Sequence, residues 1–312
     1  MKKSILAAFL LLGGLLCSGL YAEESIEKLA TPTGTLEGSL LVPETETPVP
    51  VALIISGSGP TDRNGNNPAM QNDSLKLLAT ALMENGIATL RYDKRGIGKS
   101  QKAGLNEVDL RFDHYVSDAK DWIAWLKKDE RFSEVAVIGH SEGSLIGMIA
   151  SQQQDVARFV SIAGPGQSAD KTIRKQLSSQ PKVVQDSAYP ILDKLAQGET
   201  VDDVNPMLNS LFRPSVQPYM ISWFKYDPSE VITRLRIPVL IIQGATDLQT
   251  SSEDSELLQK AKPDARKAII QGMNHVLKDA PLDRGKNLQT YNQPELPINS
   301  EVVTVITDFI NK

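Results

Sequence analysis

The stretch Val135-Ala136-Val137-Ile138-Gly139-His140-Ser141-Glu142-Gly143-Ser144-Leu145 decides the fold. Its first four residues are apolar and largely β-branched, the composition of a strand buried on both faces. The run breaks at Gly139 and restarts with Leu145, Ile146 and Ile149 at helical spacing. A strand, a sharp turn and a helix are predicted in that order. The turn carries Gly-x-Ser-x-Gly, whose glycines leave room for a serine at a strained backbone angle with its hydroxyl above the sheet edge. Five such residues recur by chance, so the strand before and the apolar helix face after are what make Ser141 a candidate nucleophile.

Working outward, the same rhythm of strand and helix recurs on both sides. Upstream, Ser25 to Pro43 alternates around Thr33-Gly34 and predicts a β-hairpin. A polar, proline-rich loop follows over Pro43 to Pro50, and Val51 to Ile55 reads as a buried strand. That strand runs into a long loop of glycines and small polar residues, Ser56 to Asn67, at the carboxyl end of a central strand where long loops tend to be functional. A helix capped near Asn72 or Asp73 carries Leu75, Leu78 and Leu82 on one face and stops at Asn85-Gly86. The strand Ile87 to Tyr92 ends in a glycine turn, Asp93 to Ser100, and Val116, Ala119, Ile123 and Leu126 mark a helix entered through Asp113.

Downstream, Ala157 to Ala163 is a strand ending at Gly164-Pro165-Gly166. From Gln167 to about Glu230 the alternation stops, leaving helical segments broken by Pro181, Pro190, Pro206, Pro214 and Pro218, which predicts an inserted cap over 167–230. The rhythm resumes with strands at Ile237 to Gly244 and Lys267 to Ile270, a helix over about Glu253 to Lys260, and a closing helix around Val302 to Ile310. The fold class is α/β: a mostly parallel sheet covered by helices on both faces. One domain over 23–312 accommodates it, with no internal repeat.

Before that domain, Met1-Lys2-Lys3, the apolar run Ile5 to Leu16 and the small residues up to Ala22 have the three parts of a secretory signal peptide, cleaved after Ala22. A membrane anchor is the alternative, although Ile5 to Leu20 falls short of the ~20 apolar residues of a spanning helix. Cys17 raises lipidation as a third reading, which the bulky Leu16 before it opposes. The expected location is secreted or periplasmic. Cleavage would remove the chain's one cysteine, leaving no disulfide or thiol chemistry. The formal charge is −5, and losing Lys2 and Lys3 makes it two units more negative. An acidic surface repels phosphate backbones and anionic headgroups, so neither nucleic acid nor a membrane surface is an expected partner. Three scattered histidines offer no metal-ligand spacing, and no cofactor is expected.

A serine hydroxyl needs a base within reach and an acceptor to orient that base. His140 adjoins Ser141, where consecutive side chains diverge, and is read as packing or bonding locally. His114 lies near a helix start and reads as a partly exposed polar residue. His275, in Gly272-Met273-Asn274-His275, follows the last strand and is the candidate base. Asp247, in the loop after the preceding strand, is the candidate orienting acid, with Asp254 and Asp279 as alternatives. All three candidate residues leave strands on one side of the sheet.

The order Ser141, Asp247, His275, with the glycine turn Asp93 to Ser100, resembles the α/β-hydrolase superfamily. Within it, Ser56 to Asn66 after a Thr-Pro-Thr-Gly hairpin is similar to secreted bacterial enzymes grouped with serine aminopeptidases, acyl esterases and dienelactone-hydrolase-like proteins. The resemblance implies an oxyanion hole built from the backbone N–H of Glu142 and of Ser58, with Gly57 competing for the second role. The neighbouring Asp62-Arg63 reads either as a clamp for a substrate carboxylate or as a loop brace in which the two charges satisfy each other. In the insertion, Tyr219, Met220, Trp223 and Phe224 are either an acyl pocket or cap core. The implied function is hydrolysis of carboxylic esters through an acyl-enzyme on Ser141, acting on a small acyl ester or short peptide. The alternatives are a serine peptidase or acyl thioesterase, and a binding protein on the same fold. An aminopeptidase would draw its ammonium site from Glu142, Asp202 and Asp203.

Overall fold

A computed structural model describes residues 24–152 and 154–312. The predicted leader, 1–22, and Cys17 with it, lies outside the described residues.

Eight strands form one sheet: β1 (Ser25–Thr31), β2 (Gly34–Leu41), β3 (Val49–Ile55), β4 (Ala88–Tyr92), β5 (Phe132–His140), β6 (Arg158–Ile162), β7 (Val239–Gly244) and β8 (Arg266–Ile270). Their spatial order is β1-β2-β4-β3-β5-β6-β7-β8. The β1–β2 hairpin turns through Pro32 and Thr33 and pairs antiparallel to β4. From β4 to β8 every pairing is parallel. The carboxyl ends of β3, β5, β7 and β8 therefore open on the same edge of the sheet.

The two-residue period of each strand divides its side chains between two cores. Val51, Leu53 and Ile55 of β3 join one core with Val135 and Val137 of β5, while Ala52, Ile54, Ala136 and Ile138 join the other. The first core is closed by α2 (Phe112–Leu126) and α3 (Glu142–Ser151), whose buried faces include Trp122, Ile123 and Ile146. The second is closed by α1 (Ser74–Glu84) and by α11 (Ser300–Ile310) at the end of the chain. The layer on each face predicted from the alternation is present, with helix starts moved by one to three residues.

Between β6 and β7 the chain forms helices only. These are α4 (Ala169–Leu177), α5 (Lys182–Ala196), α6 (Asn209–Phe212), α7 (Gln217–Phe224) and α8 (Pro228–Ile232), with two 3₁₀ turns. Their prolines do not act as the sequence suggests. Pro181, Pro206, Pro214 and Pro218 sit at or within two residues of helix starts, where the missing N–H costs nothing. Pro190 lies inside α5, which runs on because Ile191, Leu192 and Leu195 are buried beyond it. Two further helices complete the chain: α9 (Ser252–Ala261), between β7 and β8, and α10 (Arg284–Gln289), which the sequence does not announce.

Candidate active site

Ser141 sits between β5 and α3 with φ 55° and ψ −122°, a conformation that a side chain adopts only when its surroundings enforce it. The enforcement is close packing of backbone. A Cβ on Gly139 would stand 2.3 Å from the Gly143 carbonyl oxygen, and one on Gly143 would stand 2.3 Å from that of Ile55. The Ser141 N–H donates to the Ile162 carbonyl at 2.9 Å, stitching the turn to β6. Only glycine at both flanks lets α3 start this near β3.

The loops after β7 and β8 bring Asp247 and His275 together. His275 Nδ1 and Asp247 Oδ2 are 2.8 Å apart, and both side chains are buried. Asp247 also accepts the N–H groups of Gln249 and Thr250 at 2.7 and 3.0 Å and the Thr250 hydroxyl at 3.0 Å. Burial alone would raise its carboxyl. The facing His275 and these donors outweigh that and leave it below the ordinary aspartate value, so it stays an anion that keeps Nδ1 protonated. His275 Nε2 is thereby left as the basic nitrogen.

The other histidines and acids have different work. His140 does not bond within the elbow. Its Nε2–H donates at 2.8 Å to the backbone carbonyl of His275, and the two rings lie 4.8 Å apart. Burial, then the nearby His275, holds its pKa down at about 3, so it is a neutral strut under the base. His114 Nδ1 accepts the Arg111 N–H at the start of α2. Asp254 caps α9 by accepting from Ser251 and also accepts the Gly166 N–H, while Asp279 accepts from Asn299. Neither reaches His275.

A cavity of about 600 Å³ opens over Ser141, and Ser58 and Glu142 are in its wall beside the serine. Its sides are largely apolar: Leu145, Ile173, Leu211, Met220 and Trp223 contribute. Phe224 is not in this wall. Successive helical residues diverge by ~100°, and Phe224 packs half-buried against the core instead. Gly57 is also outside the wall, although a Cβ there would come 3.1 Å from Ser141 Cβ.

Arg63 is not a substrate clamp. It is buried, with Nη2 2.5 Å from Glu37 Oε1 and Nε 3.5 Å from Asp93 Oδ2. Nor does it pair with Asp62, whose carboxylate accepts the N–H groups of Asn64 and Asn66. Both residues brace the Ser56 to Asn67 loop, each through other partners.

Sequence reasoning passed over Lys94, whose Nζ donates to the Gly57 carbonyl and to Glu142. Three consecutive charges, Asp93-Lys94-Arg95, at the end of an apolar strand were the available signal, and all three are buried. It also passed over Asn274, which folds the base loop by accepting the Val276 and Lys278 N–H groups. Asn287 of α10 donates to the Thr246 carbonyl and accepts from Asn274, tying the acid loop to the base loop.

A strained Gly-x-Ser-x-Gly turn after β5 and an aspartate after β7 paired with a histidine after β8, on a mostly parallel eight-stranded sheet, fit one architecture. This is the α/β-hydrolase fold. Residues 72–213 match the family described as serine aminopeptidase, S33. Esterase EstD of Thermotoga maritima is 25% identical over 267 residues, 81% of this chain. The match spans 61% of that esterase's length. Est1E of Butyrivibrio proteoclasticus, solved with ferulic acid bound, superposes with a TM-score of 0.61 at 18% identity over 92% of this chain and all of that one. A Pyrococcus furiosus esterase gives 0.58 at 17% identity over 93% and 91%. Dipeptidyl peptidase 4 of Porphyromonas gingivalis gives 0.58 at 12% identity, with 93% of this chain aligned to 35% of that one. The structural matches thus cover 92–93% of this chain.

Proposed function

We propose that this α/β hydrolase cleaves carboxylic esters through an acyl-enzyme on Ser141. The observation that carries the reading is the buried Asp247–His275 pair at 2.8 Å, on loops at the same sheet edge as the strained Ser141 turn, which itself lines an apolar cavity. Ser141 Oγ attacks the ester carbonyl as His275 Nε2 takes its proton. The N–H groups of Glu142, at the first turn of α3, and of Ser58 receive the oxyanion. Collapse expels the alcohol, which leaves with the proton from His275. Water then attacks the acyl carbon, gives its proton to His275, and Ser141 recovers its own as the carboxylic acid departs.

The S33 match favours peptide substrates as the second reading, but the cavity chemistry does not. An aminopeptidase needs a free carboxylate for the substrate ammonium. Among the described residues, Glu142 is the one acidic residue in the cavity wall, and its carboxylate is engaged by Lys94 and the Tyr219 hydroxyl. Asp202 and Asp203 are exposed and lie away from that wall. An apolar acyl group, aliphatic or aromatic, suits Leu211, Met220 and Trp223. The charged start, apolar run and small-residue end of residues 1–22 support export, secreted or periplasmic, as the location.

Turnover of p-nitrophenyl acyl esters against aminoacyl p-nitroanilides separates the readings. Ester cleavage is expected to dominate, and Ser141→Ala to lower kcat by a factor on the order of 10⁴ to 10⁶. Dominant anilide cleavage would overturn the ester assignment.

A further inference from the structure

Lys94 follows β4 by two residues, in a turn where a lysine would ordinarily reach water. Its side chain is instead 1% exposed. Nζ donates to the Gly57 carbonyl at 2.6 Å and to Glu142 Oε2 at 3.1 Å, and it lies 4.9 Å from the centre of the Tyr115 ring. The residues it bridges are the one before Ser58 and the one after Ser141, so the ammonium joins the two halves of the oxyanion hole. Lys94 itself is not part of the cavity wall.

The described residues contain no cis peptide. In a trans peptide the C=O and N–H of one unit point in opposite directions. Holding the Gly57 carbonyl therefore fixes the direction of the Ser58 N–H. We propose that Lys94 is a positioning residue that aims the Ser58 N–H at the oxyanion by anchoring the Gly57 carbonyl, a role that rests on the serine-hydrolase reading above. A charge-assisted bond of this kind is roughly twice as strong as a neutral one. It also polarises the amide and makes its N–H the better donor.

The Glu142 carboxylate makes the arrangement tenable, because a lone buried cation would be strongly destabilising. Its other oxygen accepts the Tyr219 hydroxyl. Burial, then the Glu142 charge, pushes that phenol well above its ordinary range, so it remains a donor. A chain of contacts thus runs from α7 above the cavity through Glu142 and Lys94 to the oxyanion peptide.

The test uses Lys94→Met and the charge-balanced Lys94→Met/Glu142→Gln, which removes the buried pair as a unit and retains folding if the single variant does not. Both are assayed for kcat and KM on a p-nitrophenyl ester and for affinity toward a trifluoromethyl ketone, which forms a tetrahedral adduct on the serine. The expected result is a loss in kcat on the order of 10- to 100-fold with KM within about threefold, since a donor is misaimed rather than deleted. Ketone affinity should fall by the same factor as kcat/KM. Folded variants with kcat within about twofold of wild type, or ketone affinity unchanged while the rate falls, would overturn the role. A wild type that turns over no ester and does not bind the ketone would instead remove the hydrolase reading itself.

Discussion

His140 shows how one residue beside the nucleophile links chemistry to stability. It is neutral in the folded protein, with a pKa held at about 3, against 6.5 for an ordinary histidine. Between those values the unfolded chain binds a proton that the folded one does not, so stability rises with pH and is lost on acidification through that window. The slope from this residue is about 1.4 kcal/mol per pH unit. Other groups add to the wild-type slope, and the raised Asp118 carboxyl, at about 6, opposes it in the same window. Urea unfolding between pH 4 and 6 should therefore give a slope more positive in wild type than in His140→Phe by about that amount; equal slopes would contradict the assignment. The sequence placed His140 at the elbow but could not say that its ring reaches a residue 135 positions away. The placement of Ser141, Asp247 and His275 after β5, β7 and β8 was legible because strand ends can be read from local pattern. Lys94 and the partners of Arg63 were not, since a charged side chain in a turn gives no local sign of being folded inward.

At the scale of elements, the site depends on two loops held in register by a helix. Asn287 of α10 donates to the Thr246 carbonyl at 2.9 Å and the Pro281 carbonyl at 3.0 Å, and accepts from Asn274 at 3.2 Å. It touches neither Asp247 nor His275 directly. Removing a fully buried amide leaves its partners unsatisfied, at about 1–3 kcal/mol. Asn287→Ala is therefore expected to lower the unfolding free energy by that amount. It should also lower kcat by a factor on the order of 10 as the base drifts from the serine, with KM little changed. Paired thermal melts and ester kinetics check this, and a destabilised variant with wild-type kcat would show that α10 supports the fold alone. The strands were legible from their apolar runs, whereas α10 is six residues with little periodicity and was not. The prolines of the segment between β6 and β7 were visible, yet four of them start helices and Pro190 is spanned by one. Their meaning depends on which neighbours are buried.

Across the whole molecule, a parallel sheet gathers functions that are far apart in sequence. The Ser56 to Asn67 loop, Ser141, Asp247 and His275 follow β3, β5, β7 and β8, and they lie at one edge because those strands run the same way. The helices between β6 and β7 then roof that edge with an apolar cavity. The first arrangement was readable from alternation alone. The second was readable only as an insertion, because wall residues such as Leu211 and Ile173 come from different helices whose packing no local pattern specifies.

If Ser141 is a nucleophile made reactive by His275 and Asp247, it reacts covalently with a fluorophosphonate, and intact-mass and peptide-level detection of the adduct on the wild-type protein, Ser141→Ala and His275→Ala tests this. One adduct on the peptide bearing Ser141 is expected in wild type, none in Ser141→Ala, and labelling slowed by a factor on the order of 10³ or more in His275→Ala. No adduct on the wild type, or equal labelling of all three proteins, would show that Ser141 is not an activated nucleophile.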